Sequence, residues 1–223
     1  FSSTPLENYA VLANWEASGR LDVLSNIIQP GVAMKFMAPA LRLSTEQLRV
    51  RTQDIGGGFG IKQNIYPYLM IAALCSRKAG HKPVKWIEER REHLQGSAHG
   101  NERTFLDIKV ALKNDGEITA VSARHVDDCG AYPRYEPLGG VIWSQVAPAS
   151  YKLRNLRIHF EQAVTNKCPV GPNRGFSRMQ NVWFLERVVD ICARKLGIPA
   201  DEMRQRNYIS EMPYTTPNGC VYD

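Results

Sequence analysis

Ile55-Gly56-Gly57-Gly58-Phe59-Gly60-Ile61-Lys62-Gln63 packs four glycines into five positions, and the segments flanking it differ in character. Before it, Leu48-Arg49-Val50-Arg51-Thr52-Gln53 alternates like a half-buried strand. After it, Tyr66 to Ala79 is rich in Leu, Ile, Met and Ala and predicts a helix. Such a glycine run turns sharply and lets the backbone approach a ligand with no Cβ in the way. A loop feeding a helix N-terminus also presents N–H groups to an anion. The other reading is a tight strand-to-helix turn with no ligand. Neither familiar phosphate loop fits. A P-loop needs Gly-Lys followed by Ser or Thr, whereas Ile61 separates Gly60 from Lys62 and Gln63 follows. The dinucleotide fingerprint, counted from Gly56, meets Ile61 where its third glycine belongs.

The 223 residues suffice for one sizeable domain or two small ones, and no apolar run is long enough to cross a bilayer. The net charge of +6 comes from scattered Lys and Arg, which disfavours a nucleic-acid surface. Cys75, Cys129, Cys168, Cys192 and Cys220 lie far apart with no Cys-x-x-Cys pair, so neither a zinc ribbon nor an iron–sulfur cluster fits. Reduced thiols in a cytoplasmic protein are the expectation. The chain opens on Phe1-Ser2-Ser3 and stops at Val221-Tyr222-Asp223 after a turn-like segment, and it is expected to be a piece of a longer polypeptide.

Tyr9–Trp15 and Leu21–Ile28 predict a hairpin, Val32–Leu41 a helix, and Val84–Ile87 a short strand before a charged helical turn over Glu88–Leu94. Phe105–Leu112 and Ile118–Val126 alternate about Asn114-Asp115-Gly116, a hairpin turn. Leu156–Val164 predicts a strand. From Met179, the stripe Val182, Leu185, Val188, Val189, Cys192 and Leu196 predicts a helix ended by Gly197-Ile198-Pro199. Ala200–Arg206 predicts a last short helix before a polar tail. Strands and helices mix without a regular βαβ rhythm, so the fold class is α+β, mixed sheets with packed helices.

No histidine set has metal-ligand spacing, and no Gly-x-Ser-x-Gly elbow is present. Asp127-Asp128 point to opposite faces of a strand, so solvation at a strand end explains them better than a catalytic pair.

The glycine stretch resembles the Gly-Gly-Gly-Phe-Gly-x-Lys loop of the molybdenum hydroxylases, the family of xanthine dehydrogenase, aldehyde oxidase and aerobic carbon monoxide dehydrogenase. Further landmarks follow in order. Pro5-Leu6-Glu7 resembles the family's entry motif, with Asn8 in place of its Pro. Pro83-Val84-Lys85-Trp86 with Glu89-Arg90 resembles the carbon monoxide dehydrogenase branch. Asp128-Cys129-Gly130-Ala131-Tyr132, Tyr151 with Asn155, Thr165-Asn166-Lys167 and Asn173-Arg174-Gly175-Phe176 complete the set. The resemblance implies the first molybdopterin-binding domain of a large subunit, spanning residues 1–223. It implies a molybdenum–pterin cofactor (molybdopterin or its cytosine dinucleotide) with no side-chain metal ligand. Its contacts would come from Gln29, Gly58, Phe59, Gly60 and Arg174. Iron–sulfur clusters and FAD are implied on partner subunits or domains, in a complex expected to dimerise, with no nucleic acid and no membrane span. The reaction implied adds a water-derived oxygen to an electron-poor carbon. The family's general base is a Glu near the end of the full subunit, so no catalytic residue is assigned here.

Departures from the family narrow the substrate. Purine oxidisers carry Glu where this chain has Gln63, and Arg where it has Ile142. Loss of both charged partners disfavours xanthine. Carbon monoxide oxidisers carry a copper-anchoring Cys where this chain has Gly175. Phe176 corresponds to an aromatic that stacks on flat substrates. Gln63 and Phe176 are therefore the expected substrate contacts, for an aldehyde or an aromatic N-heterocycle. A carbon monoxide dehydrogenase-like subunit and a non-catalytic interaction domain of the same fold are the alternatives.

Overall fold

The computed structural model of the 223-residue chain describes residues 2–63, 67–96, 103–132 and 138–223. The backbone divides into two compact units, Phe1–Gly100 with Cys168–Arg174, and Asn101–Lys167 with Gly175–Asp223.

The first unit is a four-stranded sheet covered on one face by two helices. β1 (Ala10–Trp15) and β2 (Leu21–Ser25) form the expected antiparallel hairpin, with Trp15 opposite Leu21. α1 (Pro30–Leu41) returns the chain so that β3 (Leu48–Arg51) lies parallel to β2, and β4 (Val84–Ile87) closes the order β3-β2-β1-β4. Pro30 starts α1 because its missing N–H costs nothing in a first turn. α2 (Pro67–Lys78) brings Leu69, Ala72 and Ala73 onto Val11, Ala13, Trp15 and Val23, with Met37 and Leu41 of α1 beside them. Burying one such large aliphatic side chain contributes about 1.5–3 kcal/mol. Tyr66, the expected start of α2, lies outside the described residues, as does His99. The charged turn is a helix, α3 (Arg90–Gly96). Its buried His93 bonds the Glu88 carboxylate (3.0 Å) and the Ser3 carbonyl (2.8 Å), which fastens the N-terminal segment.

The second unit is a three-stranded sheet, β5 (Arg103–Leu112), β6 (Ile118–Asp128) and β7 (Asn155–Ala163), in that order. β5 and β6 are the expected antiparallel hairpin, while β6 and β7 run parallel. β6 alternates from Val121 onward, and Ile118, Val121 and Ala123 share a core with Phe184, Leu185, Val188 and Val189 of α5 (Arg178–Leu196), while His125 packs on Phe105, Trp143 and Phe160. Two elements escaped the sequence pattern: α4 (Leu138–Gln145), whose Gly139-Gly140 start disguises a helix, and a two-residue ladder of β8 (Tyr214–Thr215) with β9 (Val221–Tyr222). α6 (Ala200–Asn207) is tied to the β5–β6 turn by buried Asn207. Its Oδ1 accepts from the Ile118 N–H (2.8 Å) and its Nδ2 donates to the Gly116 carbonyl (2.9 Å). The α5 stripe needs one correction. Phe184 is buried and Val182 is 47% exposed, because the face that meets β6 is centred on 184, 185 and 188. The α+β class holds, with mixed sheets and six helices among the described residues.

Candidate functional site

In the first unit, four stretches far apart in the chain meet around the glycine loop. Glu7 is the fastener. Its carboxylate accepts from the Gly56 N–H (2.8 Å) and from Lys62 Nζ (2.7 Å), and its own N–H donates to the Gly56 carbonyl (3.2 Å). Lys62 is fully buried. Burial alone would raise the Glu7 carboxyl. The hydrogen bonds from Lys62, Gly56 and Asn26 and the charge of Lys62 outweigh it and hold the group below its ordinary value. The Ile28 N–H donates to the Lys62 carbonyl (2.9 Å), which draws the β2–α1 corner and Gln29 against the same loop.

The glycines serve this convergence. A Cβ on Gly56 would lie 2.6 Å from Glu7 Cβ, one on Gly58 2.4 Å from Ile28 Cδ1, and one on Gly60 2.6 Å from the Pro172 carbonyl oxygen. Gly60 also has φ +105°, outside the range open to other residues. So the space a side chain would take is already filled by the protein. The loop's polar surface faces elsewhere. The N–H groups of Gly58, Phe59 and Gly60 have no hydrogen-bond acceptor among the described residues. Phe59 between them is 46% exposed at φ +51°, a conformation a bulky residue adopts only when its surroundings enforce it.

The remaining predicted residues of this unit are also located. Gln29 is the half-buried N-cap of α1, and its side chain makes no capping bond. Gln63 is half-buried and ends a short 3-10 turn, Ile61–Gln63. Arg174 is exposed and forms no ion pair among the described residues. Asn173 beside it has a buried Nδ2 with no partner.

In the second unit, Gly175, Phe176 and Ser177 all have positive φ (97°, 30° and 71°) and lead into α5. Phe176 is half-buried. Ser177 Oγ and Gln180 Oε1 are buried without partners at the start of this 19-residue helix, whose first turn holds no acidic residue. The sequence singled out neither; only burial without a partner marks them. Ile142 is half-buried on α4. Both aspartates have structural partners, and Asp127 is not solvated. Asp127 is fully buried, accepting from Arg103 Nε (3.0 Å). Asp128 accepts from the Gly130 N–H (2.9 Å) and Thr165 Oγ1 (2.6 Å) and pairs with Lys167 (2.9 Å), which joins two of the sequence landmarks.

Comparison with known proteins gives the family. The profile of the molybdopterin cofactor-binding domain matches residues 1–208. The chain belongs to that family. The nicotine 6-hydroxylase large subunit of Paenarthrobacter nicotinovorans is 33% identical over 227 aligned positions, covering all of this chain and 28% of that protein. The carbon monoxide dehydrogenase large chain of Hydrogenophaga pseudoflava is 31% identical over 98% of this chain and 28% of its own length. Among solved structures, quinoline 2-oxidoreductase from Pseudomonas putida 86 superposes with a TM-score of 0.92 at 29% identity, over 99% of this chain and 29% of that one. The chain thus spans under a third of these relatives. In this molybdopterin-binding family member, the unused backbone N–H groups on the glycine loop and the unpartnered buried Nδ2 of Asn173, all in the first unit, suit an anionic, hydrogen-bond-accepting group such as the pterin cofactor. Among the described residues no group of three or more His, Cys, Asp or Glu is placed to hold a metal ion. No described helix is long and apolar enough to cross a membrane.

Proposed function

We propose that residues 1–223 are the first molybdopterin-binding domain of a longer large subunit. Its enzyme hydroxylates an aldehyde or an aromatic N-heterocycle with oxygen taken from water. The observation that carries this reading is the row of unused N–H donors on Gly58, Phe59 and Gly60, clamped from behind by Glu7 and Lys62. When bound, the molybdenum–pterin group supplies two-electron oxidation of the substrate carbon. This chain's residues bind and orient. The three N–H groups and the Gln29 amide donate to the cofactor's anionic atoms, and Arg174 adds a positive charge. Gln63 both donates to and accepts from a neutral heterocycle or carbonyl, and Phe176 offers a ring face worth about 0.5–1.5 kcal/mol beyond burial. No carboxylate of this chain is given the role of base. Relatives named for nicotine and quinoline support the aromatic N-heterocycle. Gly175, in place of a copper-anchoring Cys, speaks against carbon monoxide. Iron–sulfur and FAD subunits or domains, a dimeric complex and a cytoplasmic location belong to the same proposal.

The test assays the full-length enzyme with quinoline, benzaldehyde, xanthine and carbon monoxide side by side. Quinoline or benzaldehyde should give the highest kcat/KM, and Phe176→Ala should lower it for aromatic substrates more than for aliphatic aldehydes. A preference for xanthine or carbon monoxide would sink the substrate assignment.

A further inference from the structure

β5 pairs with β6 on one edge only, and its other edge has no ladder partner among the described residues. Alongside that strand, a groove of about 880 Å³ runs between β5 and α5. Phe105, Val110 and Val188 line it from the core side, and Trp183 (60% exposed) and Ile191 (52% exposed) stand at its wall. On α5, Met179, Trp183, Arg187, Ile191 and Lys195 recur every fourth residue, so one exposed stripe carries both apolar and basic side chains. Among the described residues no carboxylate lines the groove. Arg103 is spent on Asp127, and Arg187 reaches Asp190 only at 3.7 Å. Lys195 forms no ion pair among the described residues.

We propose that this groove seats an extended segment, apolar and acidic in alternation, from the part of the same polypeptide outside residues 1–223. Backbone groups of the segment would pair with β5, its alternate apolar side chains would fill the groove, and its carboxylates would meet Arg187 and Lys195. An open edge strand beside exposed apolar surface pairs with whatever strand is available unless covered. A second copy of this chain is the poorer occupant, since it would bring two sets of Arg187 and Lys195 together. The same polypeptide is the better source, because the matched region is only 28% of the relatives' length and a tethered segment acts at about millimolar effective concentration. The inference rests on the large-subunit reading above.

Hydrogen exchange of the full-length protein and of this chain, read on β5 peptides, tests it. In the full-length protein the β5 amides should exchange at least about tenfold more slowly than in the 223-residue chain. Equal exchange would overturn the proposal. The photo-reactive p-benzoylphenylalanine in place of Trp183 should cross-link within its own polypeptide, to a peptide outside residues 1–223 that carries Asp or Glu. A cross-link to a second copy or to a separate subunit would overturn it. The double variant Arg187→Glu, Lys195→Glu changes two exposed side chains and should lose both protection and cross-link; retained protection counts against the proposal. Molybdenum content separates the two readings. Protected β5 in a protein without molybdenum would overturn the catalytic reading alone, and exposed β5 in a molybdenum-loaded protein would overturn this one alone.

Discussion

Glu7 shows how much one side chain can organise. Its carboxylate serves both the Gly56 N–H and the buried Lys62, and no local pattern marks it for that duty. Glu7→Gln keeps the shape and removes the counter-charge, leaving Lys62 buried without a negative partner. Removing a fully buried partner costs 3–5 kcal/mol, but Glu7 is 40% exposed, and solvent screening reduces the expected loss to about 1–2 kcal/mol. The pH dependence follows from the sign of the shift. The folded carboxyl lies below its ordinary value of 4.5, so its contribution is present above pH 4.5 and is lost as pH falls through the lower folded value. Thermal unfolding should therefore show a wild-type advantage at pH 7 that narrows below pH 4.5. An advantage independent of pH would mean that shape, not charge, holds the loop. Gly60 makes a related point: its lack of a side chain matters first to the Pro172 carbonyl 2.6 Å from where a Cβ would stand.

Among the elements, β6 carries most of the second unit's order, and His125 is its weak position. The ring is fully buried, stacked on Phe105 (4.8 Å between centroids) and edge-on to Phe160 (4.8 Å), and neither nitrogen has a partner. Burial first, then the nearby Arg103 charge, pushes its pKa down to about 3. The unfolded chain therefore takes up a proton below its ordinary value of 6.5 that the folded chain refuses until about 3. Stability falls across that window as pH drops. His125→Phe should remove this share of the acid sensitivity and raise stability at pH 5 by about 1–3 kcal/mol, since an unsatisfied buried polar group costs about that much. Denaturant titrations of both proteins at pH 7 and pH 5 check it. An unchanged slope between the two pH values would assign the acid loss to other groups. β6 also explains why alternation read so clearly here: Val121, Ala123, His125 and Asp127 are buried at every second position while their neighbours are half-buried.

For the chain as a whole, two units with separate cores have the makings of independent folding, whereas catalysis needs more than they hold. The 223 residues contain the proposed cofactor-facing loops, but the matched region is under a third of its relatives. The isolated chain should give a folded circular-dichroism spectrum and no turnover of quinoline or benzaldehyde, even after incubation with the cofactor. Turnover by this chain alone would show that the catalytic groups lie within residues 1–223.

Local pattern was enough for the β1–β2 and β5–β6 hairpins, β4, α5 and the family landmarks, because period-2 and period-3.6 alternation and turn residues are properties of neighbouring positions. It missed α4, where glycines hide a helix that packing stabilises, and it misplaced Val182, because the centre of the buried face depends on what β6 presents. The glycine loop was legible as a candidate site from its residues alone. The reason for each glycine was not. Glu7 lies 55 residues from Lys62, and Pro172 meets Gly60 although Asn101–Lys167 of the second unit lie between them in the sequence. Contacts between such distant positions leave no periodic trace, and only the folded backbone brings them together. The same holds for Asp127, whose buried pairing with Arg103 overturned the expectation of a solvated strand end. A side chain's charge is written in the chain, but whether water or a partner meets it is decided by what folds over it.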